Sequence, residues 1–258
     1  MTRVAADEAN TGDIQAVARV GQIFSLFTPR VTELTAGEVA SLLGLNRTTA
    51  YRYCISLVAA GFLEPGSRRG SFVLGGLMLQ LGILALGRRR IVELAPPHLA
   101  GLSAVSHTTA LLSLWGANGP VVTRVEENAE RNVLVTVRVG VQLDLSAAQM
   151  RVFLAWHPDP TTIERATKGL SAAERAALDR ELEKIRKTGI CIVDEIDGLV
   201  GAAAPVFDEY GICATVALLG TDRMTDFTPN SSTMAALKAT AETLSALVGG
   251  SEKSRKNF

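Results

Sequence analysis

Two arginines, two threonines and a tyrosine lie within six residues of one another, between Arg47 and Arg52. A guanidinium can donate two parallel hydrogen bonds to guanine, and a hydroxyl can bond a phosphate or contact a thymine methyl group. On a 100° helical wheel one side carries Arg47, Thr48, Tyr51, Arg52 and Ile55, and the other carries Ala50, Tyr53, Cys54 and Leu57. The spacing therefore predicts a helix that displays base-reading and phosphate-binding groups and buries its opposite face.

The elements around this helix must hold it against a groove of DNA. Thr35-Ala-Gly-Glu38 is a capping box, Gly44 suits a tight helix end, and Asn46 is a good N-cap for the next helix. An amphipathic helix from Gln15 to Phe27 precedes them, and a strand, turn and strand follow from Phe62 to Leu74. Three helices followed by a hairpin predict a winged helix-turn-helix.

Bulk charge gives no indication of nucleic acid, because 26 basic residues balance 26 acidic ones in 258. Between Val17 and Gly75, however, six arginines face three glutamates. A hydrophobic content of 47% and a mean hydropathy of +0.22 predict a globular chain. The sequence lacks both an apolar run of membrane length and the apolar core of a signal peptide, and its three cysteines are widely spaced. We expect a cytoplasmic protein that has no membrane partner and no disulfide framework.

The remainder of the chain predicts an α+β fold with three parts: residues 13–75, 76–91 and 92–250. The middle part is a leucine-rich linker helix that we expect to pack against a second copy, although burial within its own domain is the alternative. The third part is one antiparallel sheet flanked by helices. Its helices are predicted at Pro96–Val105, Ser146–Trp156, Ser171–Lys187 and Thr228–Val248, and its strands at Thr109–Trp115, Val121–Glu126, Val133–Val139, Ile190–Val193, Ala202–Phe207 and Ala214–Leu219.

Three stretches together resemble the IclR family of bacterial transcriptional regulators: TAGEVASLLGLNRTTAYRYCISLVAAGFLE, the wing ending SFVLG, and GLVGAAAPVFDEYG. The resemblance covers nearly the whole chain. It implies a winged helix that binds double-stranded operator DNA, a dimerising linker helix, and a C-terminal GAF-like domain that binds a small metabolite, often a carboxylate. Family members repress or activate catabolic operons as homodimers or homotetramers, and we expect a repressor here.

The resemblance also implies two sets of site residues. The expected DNA-binding residues are Thr35, Arg47, Thr48, Thr49, Tyr51, Arg52, Arg68 and Arg69, with the last two in the wing. The expected effector-binding residues are Trp115, Leu145, Ser146, Ala147, Asp194, Gly201, Ala217 and Leu219. Most of the second set are apolar, which favours an aromatic or partly apolar effector, although Ala217 and Leu219 also suit a plain sheet core.

One region departs from the family pattern. Where relatives carry a Pro-Leu-His-like motif and then Gly-Lys, this chain has Ser146 at the His-like position and Arg151-Val152 at the Gly-Lys pair. The departure leaves the identity of the effector open and is consistent with a subfamily that binds a different ligand.

Two other classes of function remain as alternatives, an enzyme and a protein-interaction module built on the same scaffold. The sequence shows no nucleophile elbow, phosphate-binding loop or metal-ligand spacing, so we expect no catalytic residue, metal or cofactor. The three histidines, His98, His107 and His157, are predicted at helix ends. Arg47 and Arg52 on a displayed face favour DNA over a protein partner, whose docking face is more often apolar.

Overall fold

The computed structural model describes residues 14–128, 135–194 and 198–250. Its backbone contacts divide into two compact units, with the boundary between Leu86 and Gly87. In the part of the chain that is described, no helix is both long and apolar enough to cross a bilayer.

The N-terminal unit is a winged helix-turn-helix, as predicted. Its helices and strands are α1 (Gln15–Ser25), β1 (Leu34–Thr35), α2 (Ala36–Leu43), α3 (Arg47–Ala59), β2 (Leu63–Pro65) and β3 (Ser71–Leu74). The strands form an antiparallel sheet in the order β1-β3-β2. The core beneath α3 contains Ile23, Val39, Cys54 and Leu63, each at most 1% exposed.

Two helices follow, α4 (Gly76–Gly87) and α5 (Arg90–Ser106), and the second differs from the sequence expectation. We predicted a helix beginning at Pro96, but Pro96 and Pro97 lie inside α5, and so does His98. Ile91, Val92 and Ala95 are buried against the sheet described next. The first turns of α5 therefore gain apolar burial, which outweighs the hydrogen bonds that the prolines remove.

The C-terminal unit contains a five-stranded antiparallel sheet in the order β5-β4-β8-β7-β6. Its strands are β4 (Thr109–Trp115), β5 (Pro120–Glu126), β6 (Cys191–Asp194), β7 (Leu199–Asp208) and β8 (Gly211–Thr221). Helices cover both faces, as expected for this α+β class: α5 and α9 (Ser232–Leu247) pack on one face, and α6 (Ala148–Trp156) and α8 (Ala172–Thr188) on the other. The predicted capping box at Ser171 and Glu174 forms at the start of α8.

Two sequence expectations in this unit are wrong. The predicted strand at Val133–Val139 is absent over 135–139, while 133 and 134 lie outside the described residues. Beyond this segment, the Val122 amide donates to the Val141 carbonyl, and the Val122 carbonyl accepts from the Gly140 amide. A short helix, α7 (Pro160–Ala166), was not predicted, although Asp159 caps it and Pro160 occupies its first position.

Candidate functional sites

Helix α3 displays its polar residues on the side away from the core. Arg47, Thr48, Thr49, Tyr51 and Arg52 are all exposed, whereas Ala50, Cys54 and Leu57 are buried. The start of the helix is fixed by Asn46, whose Oδ1 accepts a hydrogen bond from the Thr48 amide at 2.9 Å. The predicted division of α3 into a displayed face and a buried face is thus what the structure shows.

The turn before α3 is set by two local devices. Thr35 Oγ1 accepts from the Glu38 amide at 3.2 Å, and Glu38 Oε2 accepts from the Thr35 amide at 2.6 Å. Gly44 then closes α2 in the left-handed conformation, with φ 62°. Thr35, predicted to contact DNA, therefore acts as the N-cap of α2, and the hydrogen bonds of its amide and hydroxyl to Glu38 lower the pKa of that carboxyl.

Glu33 ties the wing to the segment before α2, and sequence reasoning missed it. Its carboxylate accepts from the Arg68 amide at 2.8 Å, from the Ser67 hydroxyl at 2.9 Å and from the Ser71 hydroxyl. The Arg68 amide and the two serines lower the pKa of Glu33 to about 2. Gly66 approaches this cluster so closely that a Cβ there would overlap both the carboxylate and the Ser71 hydroxyl.

The two wing arginines differ in the interactions that they make with other residues of the unit. Arg68 Nη2 donates to the Glu33 carbonyl at 3.0 Å, and its guanidinium lies 3.7 Å from the Glu33 carboxylate and 3.5 Å from that of Glu38. Arg69 is exposed, and none of the ion pairs in the described residues includes it. Arg68 therefore organises the wing, and Arg69 is the arginine presented at its tip.

Helix α4 has an apolar surface that is exposed among the described residues. It contains no buried residue, and its exposed large side chains are Leu79, Leu81, Ile83, Leu84 and Leu86. A helix that is apolar all round is normally buried on several sides. The exposed leucines and isoleucine therefore form a continuous apolar surface on α4.

An open groove of about 540 Å³ lies in the C-terminal unit, beside the start of α6. Its polar lining comes from Asn118, Gln142, Asp144, Ser146 and Arg165, and its apolar lining from Leu143, Leu145, Met150 and Ala166. The Ser146 hydroxyl and amide donate to Asp144 Oδ1 at 2.6 and 2.9 Å and lower the pKa of that carboxyl. The groove thus holds one anionic and one cationic side chain, and no described ion pair joins them.

The predicted effector residues fall into two groups. Leu145 and Ser146 line this groove. Gly201 pairs with Leu219, and Ala203 with Ala217, in the sheet beneath α6, where Ala217 and Leu219 are 1% and 8% exposed. These last two belong to the packed layer between sheet and helix. Ala147 is the buried N-cap residue of α6.

Of the two remaining predicted residues, Trp115 lies at the edge of this layer and Asp194 lies outside it. Trp115 packs its ring 5.4 Å from Phe153 and 4.6 Å from His157, at the edge of the same apolar cluster. Asp194 alternates with the buried Val193 along β6 and therefore points to the opposite face of the sheet. The next residue, Glu195, lies outside the described residues.

Within the described ranges, no group of three His, Cys, Asp and Glu side chains is placed to hold a metal ion. Burial raises the pKa of the Cys191 and Cys213 thiols to about 12, so both remain protonated at neutral pH. Groups that can form hydrogen bonds and carry charge are exposed on α3 and line the groove.

A winged helix-turn-helix followed by a sheet domain with a ligand-sized groove defines a DNA-binding transcriptional regulator. Two family models match the chain: the IclR helix-turn-helix domain over residues 16–66, and the bacterial transcriptional regulator IclR C-terminal domain over residues 83–246. The chain belongs to the IclR family of bacterial transcriptional regulators.

Individual relatives agree with this assignment. The HTH-type transcriptional regulator XynR of Escherichia coli is 27% identical over 221 residues, which is 80% of this chain and 85% of XynR. An IclR family regulator from Brucella abortus has a similar fold, with a TM-score of 0.75 at 20% identity over 95% of this chain and 97% of that one. An IclR homologue from Microbacterium hydrocarbonoxydans, solved with 4-hydroxybenzoate, has a TM-score of 0.66 at 22% identity over 90% and 98%.

Proposed function

We propose that α3 reads operator bases through Arg47 and Arg52, while Thr48, Thr49 and Tyr51 contact the backbone or thymine methyl groups. The observation that carries this is the displayed face of α3, where all five side chains are exposed and the core lies behind them. The capping at Thr35 and Asn46 fixes that face before DNA binds, so little conformational freedom is lost on binding.

The test begins with purified protein and fragmented genomic DNA at defined salt, followed by sequencing of the retained fragments. On the enriched site, Arg47→Ala should weaken specific binding by about 1–3 kcal/mol and relax the preference at one base pair. Arg30→Ala is the matched control, because Arg30 is an exposed arginine of the same unit outside α3. Equal losses for the two variants, on specific and non-specific DNA alike, would contradict base reading by Arg47.

The wing supplies a second, sequence-independent contact in this proposal. Arg69 binds phosphate or the minor groove, and Arg68 keeps the wing in place through Glu33. Removing Arg69 should weaken binding to all sequences about equally and reduce the salt slope by about one counterion.

We further propose that the groove at Ser146 holds the effector. Arg165 binds a carboxylate, Asp144 accepts a hydrogen bond from a hydroxyl, and Leu145 and Met150 contact an apolar body. A hydroxylated carboxylate satisfies both charged groups at once. The Microbacterium relative supports this ligand class, because its structure contains 4-hydroxybenzoate.

The effector proposal is tested with 4-hydroxybenzoate as the first probe and other hydroxylated carboxylates after it. A binding probe should lose about tenfold or more in affinity in Arg165→Ala, since a charge-assisted bond is worth roughly 1.5–3 kcal/mol. Arg180→Ala is the control, because Arg180 is an exposed arginine of α8 that does not line the groove. Unchanged affinity in Arg165→Ala would remove that residue from the site.

Dimerisation through α4 completes the proposal, because two recognition helices then meet successive major grooves of a palindromic site. Effector binding changes their separation and therefore the operator affinity. We propose repression of a catabolic operon, with tetramers as pairs of such dimers. A reporter gene placed behind the enriched site decides the sign, and identical operator affinity with and without a bound effector would refute the coupling.

A further inference from the structure

A second cavity lies in the C-terminal unit, where α8 ends and β6 begins. It encloses about 180 Å³. Its cationic lining is Arg186, Lys187 and Lys238, and its apolar lining includes Trp156, Pro205 and Phe207. None of these residues lines the groove at Ser146. We propose that this cavity, named here the edge cavity, is a second ligand site that binds a small organic anion.

The edge cavity exists because β6 is shorter than β7. The pairing between these strands ends at Cys191 and Ala203, so Ala204 and Pro205 of β7 lie at an open edge. Proline has no amide to offer there, which discourages the addition of another strand. Helix α8 approaches this edge from one face of the sheet and α9 from the other, and a small space remains between them.

The charges that line the edge cavity favour an anion. Three cations face one carboxylate, that of Glu242. No ion pair found in the described residues includes Arg186, Lys187 or Lys238. The last turn of α8 carries a partial negative charge of roughly half an electron, which offsets only part of this excess. The remaining excess of positive charge among the described lining residues attracts an anion.

The geometry also fixes an anchor for one of the cations. Arg186 Nε donates to the carbonyl of Ala155, the residue before Trp156 in α6. This bond ties the Nε atom of the exposed Arg186 side chain to the end of α6. Lys187 and Lys238 come from different helices and complete the charged side.

The volume and the aromatic wall restrict the ligand further. At ~30 Å³ per water molecule, the cavity has the capacity of roughly six waters, which corresponds to an organic anion of three or four carbons. Trp156 and Phe207 meet edge to face at 5.4 Å and are 5% and 1% exposed, so they form a rigid apolar wall. A short-chain carboxylate places its alkyl part on this wall and its charge among the cations.

The two tryptophans of the chain allow a direct test in the full-length protein, because Trp156 lines the edge cavity and Trp115 does not. Protein labelled with 5-fluorotryptophan is titrated with propionate at constant ionic strength, and Trp115→Phe assigns the two ¹⁹F resonances. We expect a saturable shift of the Trp156 resonance alone. Lys187→Ala and Lys238→Ala should each weaken binding about fivefold.

Controls separate this site from bulk charge and from the proposed effector groove. Lys184→Ala removes an exposed lysine of α8 that does not line the edge cavity and should leave the titration unchanged. Arg165→Ala, a groove variant, should also leave it unchanged, even if the effector proposal itself fails. A shift without saturation, an equal affinity in Lys238→Ala, or saturable binding of inorganic phosphate but not propionate would each overturn the assignment.

Discussion

Two hydroxyl groups in the centre of the C-terminal sheet lack hydrogen-bond partners in the described residues, Ser113 Oγ and Thr215 Oγ1. The two residues face each other across β4 and β8 and are 0% exposed. A buried hydroxyl without a partner costs about 1–3 kcal/mol in proteins. Thr215→Val replaces that hydroxyl with a methyl group of the same shape, so it should raise the free energy of unfolding by about 1–3 kcal/mol.

Urea unfolding followed by tryptophan fluorescence reports on the C-terminal unit, which contains the substitution, because Trp115 and Trp156 both belong to that unit. The midpoint should rise while the slope with urea stays the same. Thr225→Val is the matched control, since the buried Thr225 hydroxyl does donate, to the Ser106 carbonyl at 3.2 Å. That variant should lose about 1 kcal/mol. If Thr215→Val loses stability as Thr225→Val does, the inference that Thr215 is unpaired is refuted.

Three other predictions follow from the wing, the linker helix and the thiols. Because the pKa of Glu33 is lowered to about 2, its contribution to stability is present above pH 4.5 and is lost as the pH falls toward 2. Amide exchange in the wing should show this loss, and Glu33→Gln should abolish this pH dependence. Ile83→Asp should turn dimers into monomers by light scattering, whereas Val105→Asp, equally exposed but outside α4, should not. Iodoacetamide at pH 8 should alkylate Cys191 and Cys213 at least a hundredfold faster in denaturant than in the native protein, because burial holds both pKa values near 12; rapid labelling of the native protein would contradict it.

The helix-turn-helix could be predicted because its signals are local. A capping box, a left-handed glycine and an N-cap each act within four residues of chain, and all three form as expected. The same local rules gave the wrong start for α5, because they do not allow prolines inside a helix. The first turns of α5 are stabilised instead by burial of Ile91 and Ala95 against strands that come much later in the sequence.

The candidate sites were predictable to a smaller extent, and for the same reason. Glu33 meets its wing partners across 34 to 38 residues, and no local pattern marks such a contact. Arg165 reaches the groove from α7, a helix that the sequence reading did not include. Leu145 and Ser146 line a groove, and their expected role in effector binding stays a prediction. The resemblance gave no sign that Asp194 alternates onto the opposite face of the sheet from Val193.

Arginines that look equivalent in the sequence thus acquire different roles in the fold. Arg47 and Arg52 occupy the exposed face of a capped helix and have freedom to bond with an external partner. Arg68 is engaged by two carboxylates of its own unit, so its interaction with DNA would have to compete with bonds that already exist. Arg69, one residue further, has no such competitor among the described ion pairs. Since attraction to phosphate is a difference between bound and free states, we expect Arg69, if the wing contacts DNA as proposed, to contribute more to the affinity than Arg68.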